Sequence, residues 1–231
     1  MDFIGPDYQI LGLYGSKGVG KDFVGQQIKA FVESKEGNHG MGICLALADP
    51  IKDFASNALG IDRKLLYGTD DDKNTLTDYD WEKMPFPHNK TGKMSIRHII
   101  QIVGTELGRD VWDDRLWINA MRRRIQRTYE DICCGPRGYG WYEKKGNIYF
   151  VITDVRFDNE VDAVREWGGV VWSVKGPQRI NKKGDRHLSE QQDDRDLDGV
   201  IFNGLDTTEE DLRSQIRENF KRWRSTTSTA P

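Results

Sequence analysis

The sequence predicts an α/β chain with a mainly parallel central sheet and helices on both faces. Three observations carry this expectation. Short apolar runs alternate with stretches of helical spacing, the first run stops at a glycine-rich turn, and the strongest strand signal, Ile148 to Thr153 (IYFVIT), is apolar almost throughout rather than alternating. A length of 231 residues, with 37% hydrophobic and 31% charged residues, suits a real core in one such domain carrying an insertion, or at most in two small domains.

Taken in order, Gln9 to Tyr14 (QILGLY) reads as a buried strand, and Asp22 to Glu33 as a helix with Phe23, Val24, Ile28, Phe31 and Val32 at helical spacing. Gly42 to Leu47 is a second strand. Asp49 then suits a helix N-cap and Pro50 a first helical position, for a helix running to Gly60. Residues 61–93 are polar and turn-rich, with Asp70, Asp71, Asp72, Pro85 and Pro87, and read as an insertion over the active face rather than a core element. Ser95 opens a helix containing Ile96, Ile99, Ile100 and Val103, and another runs from Asp113 to Tyr129. After a glycine-rich loop between Cys133 and Gly146 comes the strand at 148–153. Then follow a helix from Glu160 to Trp167, strand Val170 to Val174, a basic loop with Arg179, Lys182, Lys183 and Arg186, strand Val200 to Phe202 and helix Glu209 to Phe220. The expected domain is 1–224, and 225–231 reads as a disordered tail.

Bulk properties exclude several function classes. A net charge of −3 gives no positive field for wrapping nucleic acid. Cys44, Cys133 and Cys134 lack zinc spacing and read as reduced thiols of a cytoplasmic protein. No run approaches the roughly 20 apolar residues that span a bilayer, and Met1 to Pro6 lacks the basic and apolar regions of a secretion signal.

The turn after the first strand, Gly15-Ser16-Lys17-Gly18-Val19-Gly20-Lys21, fits the G-x-x-x-x-G-K phosphate-binding loop. Its place between a strand and a helix is what the chemistry requires. Glycines let several N–H groups converge on one anion, and the helix dipole adds positive potential. Lys21 can follow charge on the β- and γ-phosphates, and Lys17 can reach phosphate of either substrate. Asp22 stands where the usual motif has Ser or Thr; its carboxylate is a hard oxygen ligand suited to Mg2+. The expectation sharpens to a three-layer P-loop NTPase fold using ATP and Mg2+, with an inserted acceptor-binding and lid region.

Arginine suits an acceptor phosphate because its planar fork binds phosphate bidentately and stays charged. Arg97 lies in the first turn of its helix and Arg109 beyond that helix's end. Asp154 and Arg156 lie just past the strand at 148–153, at the carboxyl edge that faces ligands in parallel sheets, and Glu160 is placed to orient Arg156. Trp117 and Phe23 suit either base stacking or core. The Arg122-Arg123-Arg124 run reads as a solvated face, and His187 as part of a lid or cap.

Several spaced motifs resemble the bacteriophage deoxynucleoside monophosphate kinases of the T-even type over roughly residues 10 to 220. They are Gly20-Lys21-Asp22, Ala48-Asp49-Pro50-Ile51-Lys52-Asp53, Ser95-Ile96-Arg97 with Gly104-Thr105-Glu106, Asp114-Arg115-Leu116-Trp117, Asp154-Val155-Arg156 with Glu160, His187 with Ser189-Glu190, and Val200 to Asn203. The resemblance implies a P-loop kinase of phage origin that passes the γ-phosphate of ATP to a deoxynucleoside monophosphate. It implies that Lys17, Gly18, Gly20, Lys21, Asp22 and Phe23 hold ATP and metal. It implies further that Asp53, Arg97, Gly104, Thr105, Arg109, Trp117, Asp154, Arg156 and Glu160 line the deoxynucleotide site, with the acceptor-binding insertion around 61–132. Phe23 departs from a hydroxyl residue common there, and 61–93 matches poorly. A homodimer is compatible with the resemblance.

The implied reaction is direct in-line transfer in which Lys17, Lys21, Arg97 and Arg156 serve as the catalytic cations. Two other readings stand beside it. One is a P-loop kinase for another phosphorylated metabolite, of the dephospho-coenzyme A or phosphomevalonate type. The other is a nucleotide-switched binding protein, which lacks here the Asn-Lys-x-Asp guanine signature.

Overall fold

The computed structural model describes residues 8–37, 39–84, 88–134, 147–177 and 197–227. The chain divides into two compact units, Met1–Ala46 with Ile125–Pro231, and Leu47–Arg124. The first unit begins with β1 (Tyr8–Tyr14), α1 (Lys21–Glu33) and β2 (Met41–Leu45). The second holds α2 (Asp49–Leu59), α3 (Arg63–Leu66), α4 (Asp70–Lys73), β3 (Leu76–Asp80), β4 (Lys93–Ser95) and α5 (Ile96–Gln101), which continues as a π-helix over Ile102–Trp112. Helix α6 (Leu116–Cys134) leads back to the first unit, completed by β5 (Ile148–Val155), α7 (Asp158–Glu166), β6 (Val170–Lys175), β7 (Gly199–Phe202) and α8 (Glu209–Thr227).

In the first unit the strands form a five-stranded sheet in the order β2-β5-β1-β6-β7. Every pairing is parallel, as the apolar runs predict. Successive side chains of β1 point to opposite faces. Leu11 and Leu13 join Val24, Ile28, Phe31 and Val32 of α1 and Leu212, Ile216, Phe220 and Trp223 of α8 in one buried cluster. On the other face, a Cβ at Gly12 would touch Val164 of α7 at 3.4 Å, so the absence of a side chain lets α7 lie close. Ring contacts link Tyr8 to Tyr129 of α6 at 4.9 Å and to Phe150 at 5.6 Å. Both faces are thus covered, and the fold is the expected α/β arrangement.

Several expectations are corrected. Residues 61–93 are not devoid of core: Ile61, Leu66 and Trp81 are buried with Ala55, Met94, Ile96, Ile99, Ile102 and Val103, and β3 pairs antiparallel with β4. Asp49 is the first residue of α2, not its cap; its Oδ1 instead accepts from the Tyr67 hydroxyl at 3.0 Å. Asp70 to Asp72 form a short helix closed by a capping box with Thr69. Helix α8 runs to Thr227 rather than ending at Phe220, because Trp223 lies one turn on and packs against Phe220 at 5.6 Å. Residues 225–227 therefore belong to the helix and not to a tail. The loop at 135–146 and the basic segment at 178–196, including His187, lie outside the described residues.

Candidate active site

In the first unit the loop after β1 turns through Gly15, Gly18 and Gly20, at φ of +154°, +85° and +86°. A side chain at Gly15 would meet the Val174 carbonyl at 2.5 Å, so the loop passes directly against β6. Gly20, left-handed, is the N-cap of α1. Lys21, the first residue of α1, is 7% exposed, and its Nζ donates to the carbonyls of Gly15 at 2.7 Å and Ser16 at 3.0 Å. Burial, with Arg156 nearby, brings Lys21 down from 10.5 to about 8, partly offset by Asp154 and Asp22. Asp154 and Arg156 therefore share the electrostatic field of the loop lysine. The sequence places them at that edge.

Two supports of this loop carried no role in the sequence. Thr153, at the end of an apolar strand, donates its hydroxyl to Asp22 Oδ1 at 2.6 Å. The helix comes this close because Gly25 lies against the Thr153 methyl, which a Cβ would meet at 2.6 Å. Asn203, 1% exposed just past β7, donates from Nδ2 to the Val19 carbonyl at 2.8 Å. A polar residue closing an apolar strand is the signal that could have found both. Beside Asn203 lies an open depression of about 530 Å3 lined by Gly204, Leu205, Asp206, Thr207, Ser214 and Gln215.

The strand β5 is irregular here. Gly12 pairs with Ile152 but Tyr14 with Val155, so the ladder slips near Thr153 and Asp154. Such a slip re-aims side chains at a sheet's functional edge. Glu160 Oε2 accepts the backbone N–H groups of Arg156 at 2.7 Å and Phe157 at 3.1 Å. It fixes the turn that carries Arg156, through the main chain rather than the guanidinium. Lys17 and Phe23 are exposed on this unit. The residues fit a nucleotide phosphate and its metal: the glycines open the loop, Lys21 supplies charge, and Asp22 offers a carboxylate already oriented by Thr153.

The second unit holds the remaining expected residues. Arg97 pairs with Asp70 at 2.7 Å, and its Nε donates to Asn74 Oδ1 at 3.2 Å. Gly104, Thr105 and Arg109 lie on the π-helix, so Arg109 does not follow a helix end as expected. Wide π turns recur at functional sites. Trp117 donates its indole N–H to the Gly104 carbonyl at 3.0 Å and packs partly buried against the core of this unit, with Phe54 at 6.4 Å. The indole edge is thus committed to the chain itself. Asp53 Oδ1 accepts from Arg63 and its Oδ2 from Arg124 at 2.5 Å. The run at 122–124 is therefore not a wholly solvated face.

A family model described as deoxynucleotide monophosphate kinase matches residues 63–216. A putative deoxynucleotide monophosphate kinase of Acanthamoeba polyphaga mimivirus is 27% identical over 215 residues, 90% of this chain and 93% of its own length. The deoxynucleoside-5'-monophosphate kinase of Escherichia phage T5 is 34% identical over 73 residues, 32% of this chain and 22% of its own. The deoxynucleotide monophosphate kinase of Enterobacteria phage T4 is 29% identical over 135 residues, 58% of this chain and 48% of its own.

Proposed function

The chain belongs to the deoxynucleotide monophosphate kinase family, and from that premise we propose that it transfers the γ-phosphate of ATP to deoxynucleoside 5'-monophosphates in a magnesium-dependent reaction. Membership makes it a phosphotransferase, in place of the other metabolite kinases and the nucleotide switch. The observation that carries the reading is the loop at 15–22, where a lysine held inward by main-chain carbonyls stands at the head of a helix. Phosphate oxygens of ATP would take over the contacts that Lys21 now makes with Gly15 and Ser16. Lys17, Gly18, Gly20 and Phe23 would complete the ATP contacts. The depression at 204–215 offers room for the base and ribose, since Asn203 ties its edge to the same loop.

Asp22 would hold the magnesium ion, which neutralises phosphate charge when bound. Arg97, Arg109 and Arg156 would counter the acceptor's charge, with Asp53, Gly104, Thr105, Trp117, Asp154 and Glu160 shaping its surroundings. The acceptor phosphate is already an anion, so transfer needs positioning and charge neutralisation more than a general base. Substrate partners are nucleotides. No helix among the described residues is long and apolar enough to cross a membrane.

The test is a coupled assay of ADP release with ATP and magnesium against every deoxynucleoside monophosphate and its ribose counterpart. Turnover of deoxynucleotides is expected, with Lys21→Ala slower by about 10²-fold or more, a preorganised charge being lost. Near-normal turnover in that variant would take Lys21 out of the chemistry.

A further inference from the structure

Glu106 lies on the π-helix of the second unit, between residues set around the acceptor, and has no role so far. The turn that carries it is pinned. Trp117 donates its indole N–H to the Gly104 carbonyl at 3.0 Å, and a Cβ at Gly108 would meet that indole nitrogen at 2.3 Å. The indole is thus wedged against both ends of the stretch from Gly104 to Gly108. On α2, Ile51 stands where a Cβ at Gly104 would meet it at 3.1 Å. The backbone under Glu106 is therefore fixed by its neighbours.

Glu106 itself is half-buried, and its Oε2 is closed off from water while accepting no hydrogen bond. No ion pair among the described residues involves it. A charged oxygen that leaves water without gaining a donor is costly, and buried polar groups almost always have a partner. This carboxylate does not hold the turn, because it bonds to nothing in it. Such an exception marks a place where the partner comes from outside the chain. A carboxylate only accepts, so the missing group carries an O–H or an N–H. A phosphate does not fit, since two anions in contact repel.

We propose that Oε2 of Glu106 binds the nucleoside part of the acceptor, accepting a hydrogen bond from the sugar 3'-hydroxyl or from an N–H of the base. The inference rests on the kinase reading, which sets Gly104, Thr105 and Arg109 of the same π-helix around the acceptor. Arginines suit the phosphate end, and a carboxylate suits the end that carries donors. Because Oε2 is already dry and fixed in place, its desolvation falls on folding rather than on binding.

Steady-state kinetics with ATP and magnesium, on the deoxynucleoside monophosphate that the unmodified chain turns over fastest, test this through Glu106→Gln and Glu106→Leu. Chemical denaturation of each free variant runs beside them. Glu106→Gln keeps the shape and loses the charge, whereas Glu106→Leu loses the acceptor atoms altogether. The acceptor KM should rise about fivefold in the first and about tenfold or more in the second, with the ATP KM within about twofold. Both free variants should denature no earlier than the parent, because each removes a buried charge that nothing satisfies. A residue that merely holds the turn would give the reverse.

The 2',3'-dideoxy form of the same substrate separates the two donors. If the 3'-hydroxyl is the donor, its removal should raise the KM about tenfold in the parent and less than about twofold in Glu106→Leu. If the base is the donor, parent and variant respond alike to the missing hydroxyl, and the loss in Glu106→Leu changes from base to base. A loss blind to both hydroxyl and base overturns the inference. So does an unchanged acceptor KM, a rise confined to the ATP or magnesium requirement, or earlier denaturation of both variants. Glu106→Gln decides alone should Glu106→Leu not fold. An unmodified chain that phosphorylates no deoxynucleotide takes the kinase reading and this inference down together, whereas an active parent with unaffected variants sinks this inference only.

Discussion

At the scale of single residues, Lys21 is the group whose chemistry was most legible and most changed by its surroundings. Motif and spacing identified it; only the structure gives its burial and its carbonyl partners. Its ammonium form is disfavoured by burial, which holds it at about 8 rather than 10.5. Phosphates beside it would favour the ammonium, so ATP binding at pH above about 8 should draw in a proton, and affinity should fall by up to about tenfold per pH unit beyond that point. Calorimetry at pH 9 in buffers of contrasting ionisation enthalpy reads this directly, and binding without proton uptake would contradict it. Stability of the free protein moves the opposite way. An unfolded lysine stays protonated to about 10.5, so between about 8 and 10.5 the unfolded state holds more protons and the folded state gains as pH rises. Other residues were silent in the sequence. Arg63 sits in a polar stretch where nothing distinguishes it from a surface charge, and its pairing with Asp53 emerges only in the folded chain.

At the scale of elements, β1, α1, β5 and β6 were readable to within about two residues, because long apolar runs and a 3.6-residue period are strong signals. The segment at 61–93 was not. Its strands β3 and β4 are 5 and 3 residues long, too short to show alternation, and its core is completed by residues from α2, α5 and beyond. The π-helix at 102–112 was invisible for another reason: its apolar spacing resembles that of an ordinary helix. Helix α1 depends on a close approach to β5 at Gly25, which holds Asp22 within reach of Thr153. Gly25→Ala should lower stability by about 1–3 kcal/mol through overpacking and raise the ATP KM, since the helix that heads the phosphate loop must shift. Denaturant melts and kinetics check the two effects. A variant as stable as the parent, with its ATP KM intact, would show that α1 has room to spare.

At the scale of the whole molecule, the parallel α/β class and the kinase assignment were both legible. Periodicity gave the first, and a series of ordered motifs gave the second. The division at Leu47 and Arg124 was not, since no change of composition marks either point. The first unit leans on a cluster of rings in which Phe220 lies 5.2 Å from Phe31 and 5.2 Å from Trp172, with Trp223 6.3 Å from Tyr149. Trp223→Ala should therefore cost about 3–5 kcal/mol of unfolding free energy, since its ring belongs to this buried core. A loss below about 1 kcal/mol in chemical denaturation would mean that the last turns of α8 are dispensable.

The amide bridge from Asn203 to the Val19 carbonyl joins positions 184 residues apart. During synthesis, the ribosome must therefore make most of the polypeptide before the glycine turn near its beginning can be braced. β1 likewise lacks both of its neighbours in the sheet, β5 and β6, until residues 148–175 have been made. A nascent fragment ending before residue 203 carries every letter of the nucleotide motif without the scaffold that shapes it.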